Sequence, residues 1–80
     1  MVRANGPVRV IGHGRAGALI RSRRTEIGFT QATLADVLDV SRQTVVALES
    51  DEYAPSVYLA IKVARQLQLS VEDIWGLDHA

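Results

Sequence analysis

Residues 30–50, TQATLADVLDVSRQTVVALES, decide the fold. Thr30 and Ser41 are N-cap residue types, and each stands just ahead of a helical apolar spacing. Behind Thr30, the residues Leu34, Ala35 and Leu38 share one stripe. Behind Ser41, Val45 and Leu48 lie three apart and face the same way. Only Asp39 and Val40 separate the two segments, which leaves room for a sharp turn and nothing more. The stretch therefore predicts two short helices crossing steeply. The first turn of the second one, Arg42 and Gln43, is presented outward.

Two helices joined this closely form a helix-turn-helix unit, whose second helix can enter the major groove of duplex DNA. The flanking sequence continues the helical pattern. Ala16 to Ile27 predicts a first helix with Ile20, Arg24 and Ile27 on one face, ended by Gly28, with Phe29 tucked in after the turn. Ser56 caps a fourth helix whose inner face is Leu59, Ala60, Val63, Ala64 and Leu67. Ser70 and Asp73 form a capping-box variant ahead of Val71, Ile74 and Trp75. Residues 1–15 are rich in glycine, with Val8–Ile11 as the one strand-like run. The expected organisation is a flexible basic arm over 1–15 and an all-α, five-helix domain over 16–77.

The formal net charge is zero, but its distribution is polar. Residues 1–24 carry six arginines and no acid, whereas residues 25–80 carry three basic residues and all nine acids. A basic arm of this kind can supply phosphate contacts in a neutral chain, through Arg3 and Arg9 for example. Eighty residues suit one small domain. Without cysteine there is no disulfide framework and no thiolate chemistry. His13 and His79 stand at opposite ends, so neither histidine spacing nor cysteine suggests a metal. No apolar run approaches the ~20 residues of a membrane span, and no signal peptide is recognisable. The expected location is cytoplasmic. No paired acid and base or nucleophile constellation supports an enzyme, and no cofactor is implied.

One competing motif is Gly12-x-Gly14-x-x-Gly17, which follows the strand-like run and precedes a helix, as in a dinucleotide-binding turn. That fold requires a second parallel strand after the helix. Here Gly28-Phe29-Thr30-Gln31 leads into another helix instead. A glycine-rich hinge between arm and domain accounts for the motif better.

The series Thr30-Gln31-x-x-Leu34-Ala35-x-x-Leu38-x-Val40-Ser41-Arg42-Gln43-Thr44-Val45-x-x-Leu48-Glu49 resembles the phage-repressor and Cro-type family of helix-turn-helix regulators. The resemblance continues through Tyr53-x-Pro55-Ser56, Leu59-Ala60-x-Lys62-Val63-Ala64 and Val71-Glu72-Asp73-Ile74, covering roughly Ala18 to Trp75. It implies that Ala35 keeps helices 2 and 3 close. It further implies that Gln31 binds a phosphate and steadies the first residue of helix 3, and that Arg24 and Glu49 pair across the core. Arg42 and Gln43 match the base-reading start of helix 3 (residues 42–50). Arginine suits guanine O6 and N7, and glutamine suits adenine N6 and N7. Val46 and Ala47 face outward and can touch thymine methyl groups. Thr44 can reach a phosphate or a base, and Thr30 with the amides behind it can attract a phosphate.

The sequence departs from the family in two respects. Positions usually held by glycine are occupied by Asp39, Asp51 and Gln68. The loop after helix 3, commonly basic, reads Ser50-Asp51-Glu52, and its carboxylates oppose phosphate binding. Compensation is expected from the arm and from Arg21 and Arg23. Two functions follow as expectations. The first is a DNA-binding transcriptional regulator acting as a homodimer on a palindromic operator, with recognition helices about 34 Å apart. The second is a protein-interaction module, antitoxin-like or accessory, with weak DNA affinity.

Overall fold

A computed structural model describes residues 15–76. The anticipated arm over 1–15 falls outside them apart from Arg15, as do His13, Leu77 and His79. Five helices follow in order: α1 (Arg15–Ile27), α2 (Gln31–Leu38), α3 (Arg42–Glu49), α4 (Val57–Leu67) and α5 (Val71–Trp75). Helix α1 thus begins one residue earlier than the sequence suggested, and α3 ends one earlier, with Ser50 as its C-cap.

Each helix start after the first is fixed by a hydroxyl. Thr30 accepts from the Thr33 amide at 3.0 Å, Ser41 from Thr44 at 3.2 Å, Ser56 from Leu59 at 3.1 Å and Ser70 from Asp73 at 2.9 Å. A cap of this type contributes about 1 kcal/mol, which is substantial for helices of eight residues. The helix ends use left-handed residues. Gly28 takes φ 104° after α1, and Asp39, Asp51 and Gln68 take φ of 60°, 61° and 60°. These three are the positions where the family resemblance led us to expect glycine. In that backbone region a side chain costs about 1 kcal/mol relative to glycine.

Ile20, Leu34, Leu38, Val45, Leu48, Val63 and Leu67 are sealed from solvent in one core, with Ile74 of α5 against them. The inner face anticipated for α4 is buried throughout, from Leu59 to Leu67. Ile27 lies at the surface instead. Among the described residues, helices α2 and α3 pack closely together, and α1 lies across α3. Ala35 is buried there, and its carbonyl accepts from the Val40 amide at 3.0 Å.

Two contacts fix α1 on α3. At one end Gly17 meets the C-terminus of α3 so closely that a Cβ would lie 2.2 Å from the Glu49 carbonyl oxygen. Beside it, the Gly17 amide donates to Asp51 Oδ1 at 3.0 Å. The third glycine of the Gly12-x-Gly14-x-x-Gly17 motif is therefore a packing residue. At the other end Arg24 Nε lies 2.5 Å from Glu49 Oε2, with the two side chains 12% and 6% exposed. Arg24 Nη1 also donates to the Phe29 carbonyl at 2.9 Å, tying the turn after α1 to the same group.

Two stability experiments follow. Gln68 spends its left-handed backbone on nothing but ending α4, so Gln68→Gly is expected to stabilise the fold by about 1 kcal/mol. Asp51→Gly relieves the same backbone cost but abandons the Gly17 amide, so it is expected to give no gain; chemical denaturation of both variants checks the contrast. Removing one member of the Arg24–Glu49 pair strands a charge that water barely reaches. Glu49→Ala is expected to cost about 3 kcal/mol, and Arg24→Met with Glu49→Leu distinctly less than the two single changes summed. Additive losses in that double-mutant cycle would contradict a direct pair.

Candidate nucleic-acid interface

Helix α3 advances about 100° per residue, and its buried residues Val45 and Leu48 define the inward direction. Gln43 and Ser50 therefore occupy the centre of the outward stripe, with Val46 and Ala47 about 50° to either side of it. Arg42 and Val46 fall on the flank toward α2 and α1, and Thr44 falls on the opposite flank. This is the surface that the sequence reserved for base contacts. Gln43 is exposed, Arg42 is exposed, and Val46 and Ala47 are half-buried at the edges of two neighbouring depressions.

The larger depression is an open cleft of about 750 Å³ lying between the start of α2, the outer face of α1 and the Arg42 flank of α3. Arg21, Thr30, Gln31, Arg42, Val46 and Ser50 all line it. Five of these were singled out from the sequence, and folding brings them together from three helices. Thr30 itself is committed: its hydroxyl serves the Thr33 amide and lies 3.1 Å from the Thr33 hydroxyl. What α2 offers an anion is therefore its first backbone amides, which a helix leaves without internal partners.

A chain of side-chain hydrogen bonds runs along the cleft. Arg42 Nη2 donates to Gln31 Oε1 at 3.1 Å, and Gln31 Nε2 donates to Glu49 Oε1 at 3.1 Å. Glu49 in turn takes Arg24 Nε and, at 3.3 Å, Arg24 Nη2. The order has a chemical reason. A carboxylate can only accept, so the amide nitrogen of Gln31 must face Glu49 and its oxygen must face a donor, which Arg42 supplies. The orientation of Gln31 is thus set from the core outward. Arg42 keeps four of five guanidinium donors for other partners, while Gln31 retains one amide hydrogen.

Arg23 is placed elsewhere. It lies about 200° around α1 from Arg21, with Nε donating to the Leu67 carbonyl at 2.9 Å and Nη1 paired with Glu26 at 3.0 Å. It closes the C-terminal end of α4, on the side away from the cleft, so the phosphate role expected for it does not fit its position. Asp51 also differs from expectation. Its carboxylate turns back to the Gly17 amide and serves as a cap for α1 in trans, instead of standing toward the interface. Glu52 is exposed as anticipated, its amide donating to the Ala47 carbonyl at 3.0 Å. The signal for the Asp51 contact was present in the sequence as a glycine early in α1, whose need for closeness only the packing against α3 reveals.

The second depression is a groove of about 220 Å³ on the far flank of α3, lined by Gln43, Thr44, Ala47 and Tyr53. Sequence reasoning gave Tyr53 no role beyond the family resemblance.

Comparisons with known proteins agree with this geometry. The helix-turn-helix family model matches residues 20–74. An HTH-type transcriptional regulator of Methanothermobacter thermautotrophicus is 49% identical over 62 residues, covering 76% of this chain and 90% of the relative. The P22 c2 repressor, solved in complex with a synthetic operator, superposes with a TM-score of 0.74 at 27% identity, covering 79% of this chain and 96% of that one. The N-terminal DNA-binding domain of SinR from Bacillus subtilis gives 0.72 at 26% identity, covering 85% of this chain and all of the other, 100%. The chain belongs to the helix-turn-helix family of transcriptional regulators of the phage-repressor and Cro type, a family of DNA-binding regulators and not of enzymes.

Proposed function

We propose that this protein is a sequence-specific transcriptional regulator that binds a palindromic operator as a homodimer, with α3 in the major groove. The observation that carries the proposal is the hydrogen-bonded chain from Arg24 through Glu49 and Gln31 to Arg42. A surface arginine held by three residues in series is costly to order for no purpose, and it suits bidentate recognition of guanine. Arg42 and Gln43 read bases in this account, Val46 and Ala47 contact thymine methyl groups, and Arg21, Gln31, Thr44 and the amides behind Thr30 take phosphates.

The charge on this face is modest. Arg24 is neutralised by Glu49, which leaves Arg21 and Arg42 as the cations of the cleft. Non-specific attraction therefore relies on the arginines that the sequence concentrates in residues 1–24, Arg3 and Arg9 among them. For the second copy, α4 offers an apolar outer face: Val57 and Tyr58 are 76% and 74% exposed, and Ile61 follows one turn later. Exposure of this degree on consecutive turns favours a self-complementary contact. A cytoplasmic location belongs to the same proposal.

A fluorescence-anisotropy titration against duplexes enriched from a random library, at two salt concentrations, tests it. Specific binding is expected in the nanomolar range, weakening as salt rises. If no duplex is enriched, the protein is not a sequence reader and the alternative of a protein-interaction module takes its place. Arg42→Ala with Gln43→Ala is expected to abolish discrimination between enriched and scrambled duplexes, by about tenfold or more, while helicity by circular dichroism stays unchanged. Loss of helicity in that variant would mean that the exposed face has been misassigned.

A further inference from the structure

The groove beside Tyr53 is continuous with the base-facing stripe of α3. Gln43 and Ala47 form part of that stripe and also line the groove, which Thr44 and the Tyr53 ring complete. Tyr53 is 41% exposed, although it sits in a loop that is held at both ends. Two residues before it, Asp51 is locked onto the Gly17 amide; one residue before it, the Glu52 amide is bonded to Ala47 at the end of α3. Three residues after it, Ser56 caps α4. The loop that carries Tyr53 is therefore held against the end of α3.

The chemistry of the groove is mixed in a specific way. Ala47 and Thr44, which carry methyl groups, and the aromatic Tyr53 line the same groove as the amide-bearing Gln43. In the major groove of DNA the one apolar group offered by any base is the thymine C5-methyl. We propose that Tyr53, together with Ala47 and Thr44, forms a receptor for the C5-methyl of a thymine adjacent to the base that Gln43 contacts, making Tyr53 a specificity-determining residue. This rests on α3 being the reader of DNA. It goes further in assigning base discrimination to a residue outside that helix, and in naming the functional group recognised.

The test uses the full chain and a duplex enriched from a random library, with each thymine replaced in turn by deoxyuridine, which lacks only the methyl. At one thymine per half-site the substitution is expected to weaken binding about fourfold, the transfer contribution of one buried methyl group. Tyr53→Ala is expected to bind the parent duplex more weakly than the wild type does, and to lose distinctly less than the wild type from the deoxyuridine substitution. Tyr53→Phe keeps the ring and is expected to retain the full deoxyuridine penalty. If the penalty is the same in Tyr53→Ala as in the wild type, or if no thymine responds, the proposal is wrong while sequence-specific binding stands. If Tyr53→Phe weakens binding as much as Tyr53→Ala, the hydroxyl matters and not the ring, which also overturns it. A library that yields no enriched duplex overturns both this proposal and the reading of α3 beneath it. Thermal melts of both variants against the wild type establish that any change is not one of folding.

Discussion

A guanidinium and a carboxylate that water scarcely reaches hold this small domain in its working shape. Arg24 and Glu49 stand on helices that are separated in sequence by the whole of α2, and their contact fixes how α1 lies across α3. Neither charge can be left alone at that depth, so the arrangement is intolerant of sliding. The same pair orients Gln31 and, through it, Arg42. Whatever recognition α3 performs thus depends on a polar contact behind it as well as on the residues at its surface. An apolar pair of similar size could join the helices, but it would give Gln31 no acceptor and its amide no preferred orientation.

The four helices after α1 were legible because each was marked twice, by its apolar spacing and by a hydroxyl at its start. Thr30, Ser41, Ser56 and Ser70 all cap as their positions suggested. The left-handed ends at Asp39, Asp51 and Gln68 were legible by resemblance, since these positions usually carry glycine. What the sequence could not convey was direction around a helix once several arginines crowd together. Arg21, Arg23 and Arg24 are near neighbours in the chain, yet one lines the cleft, one closes α4 and one is held by Glu49. Composition treats them as a single basic cluster. The 100° advance per residue disperses them to three different tasks.

Asp51 illustrates the same point for acids. Counted as charge, it works against phosphate at the end of the recognition helix. In the fold its carboxylate is turned to the N-terminus of α1, where a helix presents partial positive charge and unpaired amides. One residue thereby ends α3, caps α1 and fixes the loop that carries Tyr53. Glycine would end α3 more comfortably at φ 61°, but it has no side chain with which to reach Gly17. The departure from glycine at this position exchanges backbone ease for a joint between two helices.

At that joint the N-terminus of α1 is held against the C-terminus of α3. Under the proposed function, phosphate attraction falls to arginines that precede α1 in sequence, Arg3 and Arg9, and base contacts fall to α3. Separating the two roles has a physical advantage. A strongly basic recognition face would bind any duplex tightly and discriminate poorly, because phosphate contacts carry no sequence information. With Arg24 paired to Glu49, Arg21 and Arg42 remain as the cations of the cleft, and under the proposed function discrimination falls to the few side chains whose geometry the fold controls.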